Sequence, residues 1–203
     1  MMGTVAAPAV LEIAIFPLRT LLYPDGLLPL KVFEQRYLDM TKVCIRDDRP
    51  FGVCLIRDGT EVGVPAVPYP VGCTARIAEW DMPHLGLFHL KCQGESGFRI
   101  EEQWTAKSGL IYAHVSLLPE PAPMNLPPEY ESLAELLAKI VDKFGAERFP
   151  SPRRLNDAGW VAFRLAEVLP LELELKQQLL ESSDPLARLD RLKEFLQSRS
   201  VVV

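Results

Sequence analysis

The sequence predicts an α+β protein: an antiparallel, barrel-like β-sheet with one inserted helix, followed by an α-helical lobe. Three observations carry that expectation. Up to about residue 118 the apolar residues fall in short runs separated by Gly, Pro and Asp turns, as strands do. Residues 118–128, "LPEPAPMNLPP", then hold five prolines and break the pattern. Beyond them the apolar residues recur at three and four, the period of a helix.

Taken in order, "LEIAIF" (11–16) is a strand that closes on Pro17, and "LLPLKVF" (27–33) is a second that follows the turn Pro24-Asp25-Gly26. Within "PLKVFEQRY" (29–37) the strand gives way to a helix over 34–46. Its spacing puts Tyr37, Met40, Thr41 and Cys44 on one face, with Arg36, Asp39 and Lys42 pointing more outward. Glu34 in the first turn suits the helix dipole, and Arg36 and Tyr37 are expected to fasten the helix back onto the barrel. "FGVCLIR" (51–57) runs into Asp58-Gly59, a hairpin-type pair. Strands are then expected at 71–80, 86–94, 97–104 and 109–118, with a two-residue hairpin in "GESGF" (94–98).

The proline run is extended and stiff, at about 3.1 Å per residue, so ten residues cross roughly 30 Å. It divides a barrel lobe (1–118) and linker (119–128) from a lobe of about four helices (129–203). Leu133, Leu136, Leu137, Ile140, Val141 and Phe144 mark the first of these, with Gly145 as its C-cap. The second starts near Asp157 and carries Trp160, Phe163 and Val168; the third covers 171–181. The last has Asp184 as N-cap, Pro185 at its first position and a stripe of Leu186, Leu189, Leu192 and Leu196.

Composition narrows the function. A net charge of −5 argues against a general nucleic-acid binder, which needs basic surface to neutralise phosphates. Arg153-Arg154 is the one tight basic pair outside helical patterns and reads as a solvated loop. Cys44, Cys54, Cys73 and Cys92 each sit in apolar surroundings with no CxxC spacing, the pattern of reduced core thiols. The N-terminus lacks a basic region and Glu12 interrupts its apolar run, so no signal peptide is expected. No apolar run approaches the roughly 20 residues of a membrane helix. The expectation is a cytoplasmic chain with no membrane contact, no metal and no cofactor.

Catalytic patterns are sparse. The chain has no GxxxxGK[ST] and no HExxH. "GESGF" does not meet GxSxG, and Lys107-Ser108 are neighbours in a polar loop rather than a dyad held by a framework. His84 falls in the turn "DMPHLG", and His89 and His114 fall on strands. No catalytic residue is assigned.

"IFPLRTLLYPDGLLPLKVFEQRYLDM" closely resembles the opening of the Lon protease N-terminal domain, also called the LON substrate-binding domain. The likeness continues through "FGVCLI", "YPVGCTARI" and "GFRI", covers about 11–118 well, and extends more loosely through the helical part. Phe16, Pro17, Leu18, Phe33, Glu34, Arg36, Tyr37, Phe51 and Gly52 carry the family pattern. The resemblance implies a PUA-like pseudo-barrel with a helical lobe, in a stand-alone form without the ATPase and protease domains of Lon. It further implies a non-catalytic module that binds unfolded polypeptide or a protein partner, and the acidic balance argues against nucleic acid as that partner. "DMPHLG" departs from the family's usual turn between Trp80 and Leu87. Tyr69, Trp80, Met82 and Leu85, apolar residues near expected loops, are the candidate contacts. Two alternatives stand beside this reading: a hydrolase whose residues meet only in space, and RNA binding of the kind PUA-like barrels perform elsewhere.

Overall fold

A computed structural model of the chain describes residues 10–120 and 122–199. The first nine residues, where no signal peptide is expected, and the C-terminal "VVV" lie outside the described residues. Six strands are formed: β1 (Val10–Leu18), β2 (Leu27–Val32), β3 (Phe51–Asp58), β4 (Val67–His84), β5 (Leu87–Thr105) and β6 (Ile111–Leu117). Helix α1 (Gln35–Asp47) lies between β2 and β3, and α2 (Glu131–Phe144), α3 (Ala158–Val168), α4 (Leu173–Glu181) and α5 (Pro185–Ser198) follow the sheet. No helix among the described residues is long and apolar enough to cross a membrane.

The sheet order is β2-β5-β4-β3-β1-β6, and a further β5–β6 pairing closes five of the strands into a barrel. β2 is left outside the ring on the near half of β5. One pair departs from the expected antiparallel pattern. β1 and β3 run parallel, with Phe16 beside Val53 and Leu18 beside Leu55. The connection between them, β2 and then the 13-residue α1, is the kind of long crossover that a parallel pair requires.

β4 and β5 are longer than their sequence pattern suggests. "DMPH" continues β4, so His84 is a strand residue, and the turn is only Leu85-Gly86, with Gly86 at φ 83°. The expected hairpin within "GESGF" does not form. Glu95 and Ser96 lie inside β5, where the register passes from Ala75–Gly94 to Cys73–Gly97 and leaves one extra residue on β5. This β-bulge explains the glycines. A Cβ on Gly94 would collide with the Tyr23 carbonyl oxygen. That close approach exists because Gly94 donates to Gly26 O (2.8 Å) and accepts from Asp25 N (2.9 Å).

At the strand–helix joint, Phe16 stacks on Tyr37 with ring centroids 3.9 Å apart, and Phe51 stands 6.3 Å from Phe16. Gly52 is needed beside them, since a Cβ would sit 2.7 Å from the Phe98 ring and 2.8 Å from Ile15. Pro17 and Leu18 continue β1 alongside Cys54 and Leu55. β2 stops at Val32, and Phe33, expected in the strand, is 58% exposed. Glu34 is the N-cap residue rather than part of the first turn, and its carboxylate does not cap; it pairs with Arg36 Nη2 at 3.0 Å. Arg36 is buried, not outward. It donates to Gly109 O (3.1 Å) and lies over the Tyr37 ring at 4.7 Å. The spacing rule misses this because Arg36 can lay its stem along apolar surface and still reach a carbonyl.

All four cysteines are buried and unpaired. Asp157 and Asp184 cap α3 and α5 by accepting from Trp160 N (2.7 Å) and Leu186 N (2.9 Å), and Gly145 ends α2 at φ 97°. Arg36→Ala is expected to lower stability by about 2–3 kcal/mol, because it removes a charge-assisted bond from a buried joint. Glu34→Ala should cost less, since Arg36 keeps Gly109. Thermal melts of both variants check this, and an unchanged Arg36→Ala melt would contradict the fastening role.

Candidate functional site

The helical residues do not form a core of their own. Leu133, Leu137, Val161, Leu165, Leu189 and Leu192 share one cluster with Leu21, Tyr23, Leu55 and Val71 from the barrel side. Tyr23 is the centre of the junction. Its ring stacks on Phe163 with centroids 5.0 Å apart, and its hydroxyl donates to Lys176 O at 2.9 Å. Its own carbonyl closes the Pro24-Asp25 turn by accepting from Gly26 N (2.9 Å), with Asp25 in the left-handed region at φ 63°. Arg164, fully buried on α3, donates through Nη2 to Pro24 O (2.9 Å) and to Glu167 Oε1 (2.8 Å). Arg154 ion-pairs with Asp25, and Gln177 donates to Val71 O at 3.0 Å. Arg153 and Arg154 lie exposed in a loop, as expected, and each is paired there, Arg154 with Asp25 and Arg153 with Asp142 at 3.3 Å.

Burial pushes the Glu167 carboxyl up to about 7; Arg164 and Lys176 pull it back by less, and Asp25 adds to the rise. Burial likewise lowers Arg164 and Lys176. Burial also raises every thiol, Cys44 to about 11 and Cys92 to about 12.

Beside the junction opens a cleft of about 340 Å³. Its walls are the bulge of β5 (Glu95, Ser96, Gly97), the proline-rich segment at Leu118–Glu120, and Trp160, Phe163, Leu180 and Arg188 from the helices. Arg188 is buried because its apolar neighbours close over it. Its Nε donates to Leu179 O (3.1 Å) and Ser182 O (3.0 Å), and its guanidinium lies 4.0 Å above the Phe163 ring. Its Nη1 and the Trp160 Nε1 have no hydrogen-bond partner among the described residues. Burial lowers Arg188 to about 10, with Asp184 opposing.

Three of the four sequence-predicted contacts come together elsewhere. Trp80, Met82 and Leu85 lie at the tip of the β4–β5 hairpin, 53%, 40% and 99% exposed. Trp80 meets Phe88 edge-on, with centroids 5.9 Å apart. Tyr69 is not with them; it packs, half-buried, against the helical cluster. The cleft residues Trp160, Phe163 and Arg188 were missed. The one signal for them in the sequence is an arginine, Arg188, between Leu186 and Leu189 of an apolar stripe. No His, Cys, Asp or Glu group suited to a metal ion occurs among the described residues.

A five-stranded barrel extended by β2 and sharing its core with a helical lobe is the fold of solved Lon N-terminal domains. The crystal structure of the Lon N-terminal domain protein from Xanthomonas campestris is 34% identical with a TM-score of 0.76, covering 91% of this chain and 98% of that one. The N-terminal domain of Mycobacterium avium complex Lon protease shares the fold at 17% identity, with a TM-score of 0.65 over 92% of this chain and 98% of that one. Residues 12–198 match the ATP-dependent protease La (LON) substrate-binding domain, and the chain belongs to that family. Lon proteases of Anaeromyxobacter dehalogenans and Paraburkholderia phytofirmans are each 26% identical to it, over 97% and 93% of this chain. The chain spans about a quarter of their length, 24% in both cases.

Glu167 gives the junction a pH dependence of definite sign. Its folded pKa stands above its ordinary value of 4.5, so between about pH 4.5 and 7 the folded state holds the extra proton. Its contribution to stability is full below that window and declines as pH rises through it. Urea midpoints measured from pH 5 to 8 should show this decline, and in Glu167→Gln the slope should flatten.

Proposed function

We propose that the chain is a non-catalytic module that recognises unfolded protein segments, with the interlobe cleft as its principal contact surface. Membership of the LON substrate-binding family carries the reading. An apolar, partly enclosed cleft supports it, because a 340 Å³ space lies within the roughly 300–1,000 Å³ range of ligand pockets. The exposed hairpin tip of Trp80, Met82 and Leu85 is proposed as a second contact surface, since large apolar side chains in open solvent favour association.

The side chains with reactive potential support a binding role over a hydrolytic one. The thiols are buried and protonated, the shifted carboxyl of Glu167 is engaged by Arg164, and His114 stands on the open sheet between Glu12 and Glu102. The acidic balance of the chain and of the cleft opposes RNA. The same reading places the module in the cytoplasm, where four unpaired cysteines stay reduced.

Fluorescence anisotropy with labelled, reduced and carboxymethylated α-lactalbumin, which cannot refold, tests the proposal. Saturable binding of that chain and none of native α-lactalbumin is expected. Filling the cleft with Ser183→Trp should weaken it several-fold, and the tip variant Trp80→Ser/Leu85→Ser by less. No binding of the unfolded chain would overturn the function.

A further inference from the structure

The cleft combines apolar lining with an unanswered negative rim. Trp160, Phe163, Leu180 and Leu118 contribute the apolar part. An occupant that covers such surface with apolar side chains gains from the burial. At the rim the carboxylates outnumber the cations. Asp25 is answered by Arg154, Glu95 by Arg76 at 2.5 Å, and Asp157 by the α3 N-terminus. Glu120 and Glu181 have no cationic partner among the described residues; Glu181 accepts only from the neutral Gln177 (2.8 Å). Both are exposed.

A nucleotide or other polyanion would meet this rim like charge to like charge. A small cation would leave the apolar lining uncovered. A polypeptide answers both features at once, because its side chains supply apolar bulk and flanking ammonium groups.

We propose that the cleft selects extended polypeptide segments in which a short apolar stretch is flanked by lysine or arginine. The apolar side chains of the stretch lie against Phe163, Leu180 and Leu118, and the flanking cation pairs with Glu120 or Glu181. This selectivity rests on the reading above that the cleft is where unfolded chain is bound.

Three peptides test it, each acetylated and amidated so that no terminal charge takes part. All share a central Leu-Phe-Leu and differ only in four flanking residues: lysine, glutamine or glutamate. Anisotropy titrations at low and at physiological salt are run alongside the carboxymethylated α-lactalbumin measurement. The expected order is lysine tightest and glutamate weakest, with roughly a tenfold span between those two at low salt that narrows with added salt. In Glu120→Gln/Glu181→Gln, where both substitutions are at exposed positions, the span should shrink several-fold. Equal affinities, a preference for glutamate, or a span that persists in the double variant would each overturn the selectivity. So would failure of all three peptides to bind while the unfolded protein still binds, which leaves the recognition function standing. Failure of peptides and unfolded protein alike overturns both.

Discussion

The junction at Tyr23 is the contact on which the arrangement of the molecule depends. A tight turn gives up its outward-facing carbonyl to a buried arginine, and the tyrosine that opens the turn is clasped from the other side by an aromatic ring and a helix carbonyl. Burying Arg164 without these partners would be prohibitive. The turn geometry, the identity of Gly26 and the bulge at Gly94 are consequences of this docking. A side chain at Gly26 would collide with Glu167, and one at Gly94 with the Tyr23 carbonyl. The sequence "YPDG" is thus less a loop between strands than the socket into which the helical lobe fits.

Most of the fold was legible in the sequence because period and punctuation are local properties. The four C-terminal helices, their aspartate caps and the Gly145 stop follow from rules that need only a few neighbouring residues. The parallel β1–β3 pair was not legible, because strand direction depends on where the whole β2–α1 connection returns the chain. The continuous β5 was misread for a related reason. Glycine at 94 and 97 is the same symbol whether it makes a hairpin turn or admits a second backbone, and only the Tyr23 carbonyl distinguishes the two.

The candidate site was legible in part. Trp80, Met82 and Leu85 sit together because they flank one turn, a sequence-local fact. The cleft draws on β5, the proline-rich segment, α3, α4 and α5, and no local window contains more than a fraction of it. Arg188 illustrates the limit. Its spacing places it on the buried stripe, yet only the fold shows that the stripe borders open space rather than a partner carboxylate.

Strand β5 has one more property. The hairpin tip at Leu85 and the cleft wall at Ser96 are ends of a single stretch of β-structure, eleven residues apart along the chain. At about 3.3 Å per residue this sets their separation at no more than about 35 Å. The strand acts as a ruler. Up to about ten extended residues would let a chain segment touch both surfaces at once, whereas much shorter ones would have to hold on at one end only. Client length, and not sequence alone, would then set whether the two contacts reinforce each other through effective concentration or compete.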